Sequence, residues 1–312
     1  MHRQPLRDQQ SYRHEAFLWR DPSDFAENLA TFADEGLTNG EPVMAALVRE
    51  HADWLRGRLG VRSAAVTFVD MTHLGRNPAL IIAAWQEFLD RHRGWDRPVR
   101  GIGEPIWPGR RPEEVQECQL HEALLNVAFH PETPFWLICP YEVQLGPSVL
   151  AEAERSHPAI LQEQCYRGST SYGGQSEVDR LFEADLPPIP SQPRTCVFTV
   201  EDVRDVFAMV VREAYAADLS SDRALDLATA ARRLASDTLH RGGYGGLVRV
   251  WNRPDAVIVE VSDTTMITDV LAGRGVATGK HDHGLWAANH NCDLVQVRSN
   301  ATGSTVRVYA WR

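Results

Sequence analysis

Long apolar runs are missing from this 312-residue chain, and none approaches the roughly 20 residues that a membrane-crossing helix needs. The opening Met1 to Gln10 stretch is polar and has no apolar core of a secretory signal, so a cytoplasmic location is expected. Cysteine is sparse and scattered, at Cys118, Cys139, Cys165, Cys196 and Cys292, with no CxxC pair. An odd count without paired spacing argues against a disulfide framework and reads as reduced thiols. Positive charge is also short. Lys and Arg number 32 against 42 Asp and Glu, for a net charge of -10. Direct nucleic-acid binding needs clustered cations to displace phosphate counterions, and attachment to a membrane surface needs a polybasic tract. Neither pattern is present. A GxxxxGK[ST] phosphate loop is absent too, which removes the sign of a working P-loop ATPase.

What is present is an orderly alternation. In the first half, apolar runs at Ala16 to Trp19, Pro42 to Val48, Ala64 to Val69, Val99 to Ile102 and Phe135 to Cys139 read as strands. Helical periods at Asp24 to Gly36, Ala79 to Arg93 and Glu113 to Phe129 lie between them. Strand alternating with helix predicts an α/β domain, residues 11–160, around a largely parallel sheet. Residues 161–194, rich in turn residues and prolines, read as a linker with room for one or two helices. Residues 195–312 begin with a short strand and two long helical patterns, Glu201 to Ala217 and Asp222 to His240. A hairpin, a glycine-rich stretch, a short helix and a final hairpin follow. This order predicts an α+β sandwich with helices on one face of a mixed sheet.

Several blocks carry resemblances. His14-Glu15-Ala16-Phe17-Leu18-Trp19, Gly75-Arg76-Asn77-Pro78 with Trp85, Arg100 to Gly109, His121 to Asn126 and Cys139-Pro140-Tyr141 together resemble the MEDS sensory domain. Arg241-Gly242-Gly243, Glu260-Val261-Ser262-Asp263, Gly284-Leu285-Trp286 and Thr302 to Val308 resemble the GHKL (Bergerat-type, HATPase) domain. Within it, the likeness is to anti-sigma-factor serine kinases of the actinobacterial type. The first resemblance implies sensing of a small-molecule signal, and the second a fold that binds ATP with magnesium.

In a GHKL domain a Glu on the long helix is the general base, an Asn one turn later holds magnesium, and an Asp at a strand end meets adenine. Here the Glu position falls at Arg233 and the Asn position at Asp237, while the adenine Asp is Asp263. Thr265 and Ile267 stand where glycines are usual, and Gly273, Gly275 and Gly284 remain for the lid and the anion-facing helix start. A guanidinium cannot take a proton at any useful pH, which implies a pseudokinase. Asp237 could carry the magnesium of bound Mg-ATP, or pair with Arg233 at i, i+4. Asp263 is equally a turn-former, and Gly284 a helix-start residue.

His14, Arg76, Trp85, Glu104 and Trp107 are the candidate lining of the sensory pocket, with core packing the alternative for the two tryptophans. His281, His283 and His290 with Cys292, and Cys118 with His121, raise metal or haem binding without the spacing of a structural zinc site. The resemblances imply a transcription-regulating anti-sigma factor of the partner-switching type. It would bind a sigma factor or a STAS-type anti-anti-sigma protein and form a homodimer. The enzymatic alternative is an active protein-serine kinase phosphorylating the anti-anti-sigma partner.

Overall fold

The structure, a computed structural model, describes residues 11–94, 97–190, 192–275 and 283–312. It divides into two compact units. The first runs to Pro78 and resumes over Ala84–Val178, and the second holds Ala79–Ala83 and Asp179–Arg312. No helix among the described residues is long and apolar enough to cross a membrane.

The elements of the first unit follow in chain order: β1 (Arg13–Trp19), α1 (Pro22–Thr38), β2 (Val43–Leu47), α2 (Arg49–Leu59), β3 (Val66–Asp70), α3 (Met71–Leu74) and α4 (Ile81–Arg91). After them come β4 (Val99–Gly103), α5 (Pro112–Ala128), β5 (Phe135–Glu142), α6 (Pro147–Ser156), β6 (Ala159–Gln162), β7 (Cys165–Gly168) and α7 (Gln175–Phe182). The sheet has the order β3-β2-β4-β5-β1-β6-β7, parallel throughout except for β7 at the edge. Strands covered on both faces are apolar along their whole length, and all five residues of β2 (VMAAL) are buried. On one face Phe17, Trp19, Val43, Ala45, Leu47 and Ile138 pack with Phe25, Leu29 and Phe32 of α1 and Leu55 of α2. On the other face Trp85 of α4 lies against β4. A Cβ on Gly101 would come within 3.0 Å of its ring and one on Gly103 within 3.1 Å, so both glycines make room for the indole. Asp21 caps α1 by accepting the Ser23 and Asp24 N–H bonds, with Pro22 preset for the first turn.

Residues 161–194 differ from a plain linker. The hairpin β6–β7 extends the sheet beside β1, joined by Glu163 and Gln164 at φ 50° and 60°. Two successive positive-φ residues make the tight turn suited to twisted strands, a role usually given to Asn-Gly. Glu-Gln carries no such signal in the sequence. Farther on, Glu183 O accepts from Asn300 Nδ2 at 3.4 Å and Pro187 O from Arg307 Nη2 at 2.9 Å, which ties the proline-rich stretch to the second unit's sheet.

The second unit continues with β8 (Arg194–Phe198), α8 (Val203–Ala216), α9 (Ser221–His240), β9 (Gly246–Arg253), β10 (Ala256–Asp263), α10 (His283–Asn291), β11 (Leu294–Asn300) and β12 (Gly303–Trp311). Its sheet has the order β11-β12-β10-β9-β8. The expectation of a mixed sheet is corrected: all four pairings are antiparallel, because neighbouring strands are joined by tight turns or return in the opposite sense. Helix α9 packs on β9, β10 and β12 and is flanked by α8 and α10. Its buried face is mostly alanine (Ala224, Ala228, Ala230, Ala231 and Ala235), small enough for close helix and sheet approach.

Candidate functional site

Loops leaving the carboxyl ends of parallel strands are where open α/β sheets bind ligands. In the first unit the segments after β1, β2, β4 and β5 enclose a crevice of about 460 Å³. Trp19, Asp21, His51, Trp54, Trp107 and Glu142 are among its walls. The rings form a connected aromatic set, with His51 4.5 Å from Trp54 and 5.3 Å from Trp19 between centroids. Buried Glu104 fixes the imidazole: its Oε1 lies 2.6 Å from His51 Nδ1, and its Oε2 accepts the Val48 N–H at 3.2 Å. Burial raises the Glu104 pKa, the His51 hydrogen bond and charge oppose it, and Glu142 adds to the rise. Trp107 is held by the Arg110 guanidinium 4.1 Å over its ring, itself bound to Gly75 O at 2.5 Å.

The second feature is buried beneath α5 and α6. Glu122 Oε2 lies 3.0 Å from His14 Nε2 and 3.0 Å from His157 Nε2, and Cys139 Sγ lies 3.5 Å from His14 Nε2. His14 projects from β1, Cys139 from β5, Glu122 from α5, and His157 follows α6. All four are buried. Burial alone would raise the Glu122 pKa, but the His14 and His157 rings beside it hold it well below the usual carboxylate range. Burial, followed by repulsion from His157, lowers the His14 pKa. Burial pushes the Cys139 thiol well up, and the Glu122 charge adds to that.

The third feature lies in the second unit. Arg233 is exposed on α9. One turn on, buried Asp237 accepts the Gly284 N–H at 2.8 Å, a cap on the start of α10. A Cβ on Gly284 would come 2.3 Å from that carboxylate oxygen, so only glycine lets α10 approach α9 this closely. Asp263, at the end of β10, has both oxygens engaged. Oδ2 accepts from Thr238 Oγ1 at 2.6 Å, Arg241 Nη2 at 2.9 Å and Ser304 Oγ at 3.4 Å. Oδ1 accepts from the Thr265 N–H at 2.6 Å and from its hydroxyl. Gly273, at φ 72°, has its carbonyl bound by Asn289 Nδ2 at 2.8 Å, and half-buried Gly275 follows.

Of the residues read as one sensory pocket, Trp107 lines the crevice, and buried Glu104 holds the His51 of its wall. The structure places His14 in the buried cluster, Trp85 in the core against β4, and Arg76 on the surface after α3. Those three do not line the crevice: His14 sits on β1, Arg76 in the loop after α3 and Trp85 on α4. His51, Trp19 and Trp54 were not singled out, nor were Glu122, Cys139 and His157 as a group. The signal for Glu122 was its spacing: Cys118, Glu122 and Leu125 share one buried helix face, where an acid needs a partner. His281 lies outside the described residues. His283 and His290 are exposed, and His290 stacks on Trp286 at 4.0 Å. Cys118 donates to Pro105 O at 3.1 Å, and burial pushes its pKa up to about 12.

No curated protein matches the chain. Residues 13–158, just under half of the chain, match the family model of the MEDS domain, described as the MEthanogen/methylotroph, DcmR Sensory domain.

Proposed function

We propose that this chain is a transcription-regulating switch in which the MEDS-like unit senses a small molecule in its aromatic crevice and the second unit holds a protein partner. The partner is a sigma factor or an anti-anti-sigma protein, and the second unit acts as a degenerate anti-sigma-factor kinase of the GHKL type. The observation that carries the reading is that the two carboxylates of the nucleotide resemblance already serve the chain itself. Asp237 caps α10, and Asp263 is filled by Thr238, Arg241 and Thr265. Arg233 at the general-base position cannot accept a substrate proton. Asp263, with both oxygens engaged, can meet an adenine amino group only by breaking protein bonds.

Calorimetric titration of the folded chain with Mg-ATP, beside Asp263→Asn, tests this. No binding by either protein is expected, together with retention of a sigma factor or anti-anti-sigma protein by the full chain. Micromolar ATP binding lost in Asp263→Asn would overturn the degenerate-site reading and favour the active serine kinase.

A further inference from the structure

We propose that His14, Glu122, Cys139 and His157 bind one divalent transition-metal ion of the zinc type through two imidazole Nε2 atoms, a carboxylate oxygen and a thiolate. The four ligand atoms all lie within 4.8 Å of one another. Zinc bonds of about 2.0–2.3 Å in a tetrahedron place neighbouring ligand atoms roughly 3.3–3.8 Å apart. The separations of 3.0, 3.0 and 3.5 Å are close to that spacing. The residues come from two strands, a helix and the end of another helix, yet their donor atoms converge on one point.

Hydrogen-bond accounting points the same way. His14 Nδ1 lies 3.1 Å from Asn126 Oδ1, and the Asn126 amide is oriented by its Nδ2 donating to Ser156 O at 2.7 Å. His157 Nδ1 lies 2.7 Å from Ala153 O, which can only accept. Both rings therefore donate Nδ1–H outward, and as neutral imidazoles both turn an Nε2 lone pair toward the same carboxylate. Lone pairs facing lone pairs at 3.0 Å repel unless a cation lies among them. One proton would satisfy only one of the two rings, and two would set two imidazolium ions against one carboxylate in a site closed to water. His157 Nε2 and Glu122 Oε1 make no hydrogen bond, although both are buried. A ring nitrogen fixed by an outer acceptor is the usual support of a metal-bound histidine. The mixed nitrogen, sulfur and oxygen set suits zinc, cobalt or a similar ion over magnesium or calcium. With four protein ligands the site is closed, which fits a structural or sensing role better than hydrolysis. Binding converts the Cys139 thiol to a thiolate and releases its proton to solvent.

The test uses the full chain stripped with chelator, then titrated with Zn²⁺ against a chromophoric competitor and separately with Co²⁺. One tight equivalent of zinc is expected. The Co²⁺ form should show tetrahedral visible bands and a near-ultraviolet thiolate charge-transfer band. Cys139→Ser should lose that band, and Asn126→Ala, which removes no ligand, should weaken zinc binding about 10–100-fold. Far-ultraviolet circular dichroism separates lost binding from lost fold, and the unmutated Co²⁺ spectrum depends on no variant. Failure of the folded, unmutated chain to hold zinc against the competitor would overturn the proposal. So would a Co²⁺ spectrum without thiolate character, or a thiolate band that survives in Cys139→Ser.

Discussion

Glu122 in the first unit and Asp263 in the second are both buried acids, with side chains 1% and 2% exposed, yet they are built in opposite ways. Asp263 faces donors: three hydroxyls, a guanidinium and a backbone N–H converge on it. Glu122 faces two ring nitrogens whose opposite edges are committed elsewhere, and one of its oxygens has no hydrogen bond. A buried carboxylate is available to a ligand only to the extent that its own chain leaves it unsatisfied. By that measure Asp263 is the more completely satisfied of the two, and Glu122 the more open.

The largest effect that would break this comparison is at Asp263. If it is structural, Asp263→Ala strands Arg241 and its hydroxyl partners and should cost about 3–5 kcal/mol in urea unfolding. A cost under about 1 kcal/mol would show that the acid is held in reserve for a ligand. Next comes metal. Zinc at about 100 times its dissociation constant should stabilise the stripped first unit by about 2.7 kcal/mol through mass action. Hydrogen exchange should place that gain in β1, β5 and α5, with none in β8–β12. Gly284→Ala should cost about 1–3 kcal/mol by forcing α10 away from Asp237, read as a lowered urea midpoint. An unchanged midpoint would show that the Asp237 cap is dispensable.

The smallest effect concerns pH at the crevice. The Glu104 pKa is raised above the ordinary 4.5, in a setting shared with His51, the Val48 N–H and Glu142. A raised folded-state pKa contributes stability that is complete below the unfolded value and is lost as pH rises through the folded value. Glu104→Gln keeps an acceptor but cannot ionise. Its stability relative to the parent should therefore improve as pH climbs above about 4.5, with urea midpoints measured at several pH values. A constant difference across that range would place the burden on shape alone.

Much of the layout was legible because it is local. The strand that starts at Phe135 follows from the unbroken apolar run Phe135 to Cys139, and α9 from the helical spacing over Asp222 to His240. The hairpin around Pro254 and Asp255 follows from turn chemistry. The β6–β7 hairpin was illegible because Glu163 and Gln164 take up positive φ under the demands of sheet twist, against their own preference. Trp85, Trp107 and Trp19 look alike in sequence. Only the sheet decides that the first fills space left by Gly101 and Gly103 while the other two face the crevice.

The sequence by itself determined the α/β character of the first half and the helix and hairpin order of the second, since each rests on spacing or side-chain chemistry within a short stretch. Only the tertiary structure decided which polar residues meet. His14 and Glu122 are 108 positions apart and Thr238 and Asp263 are 25 apart. Strand order and helix placement set those meetings, and a one-dimensional pattern holds no record of them.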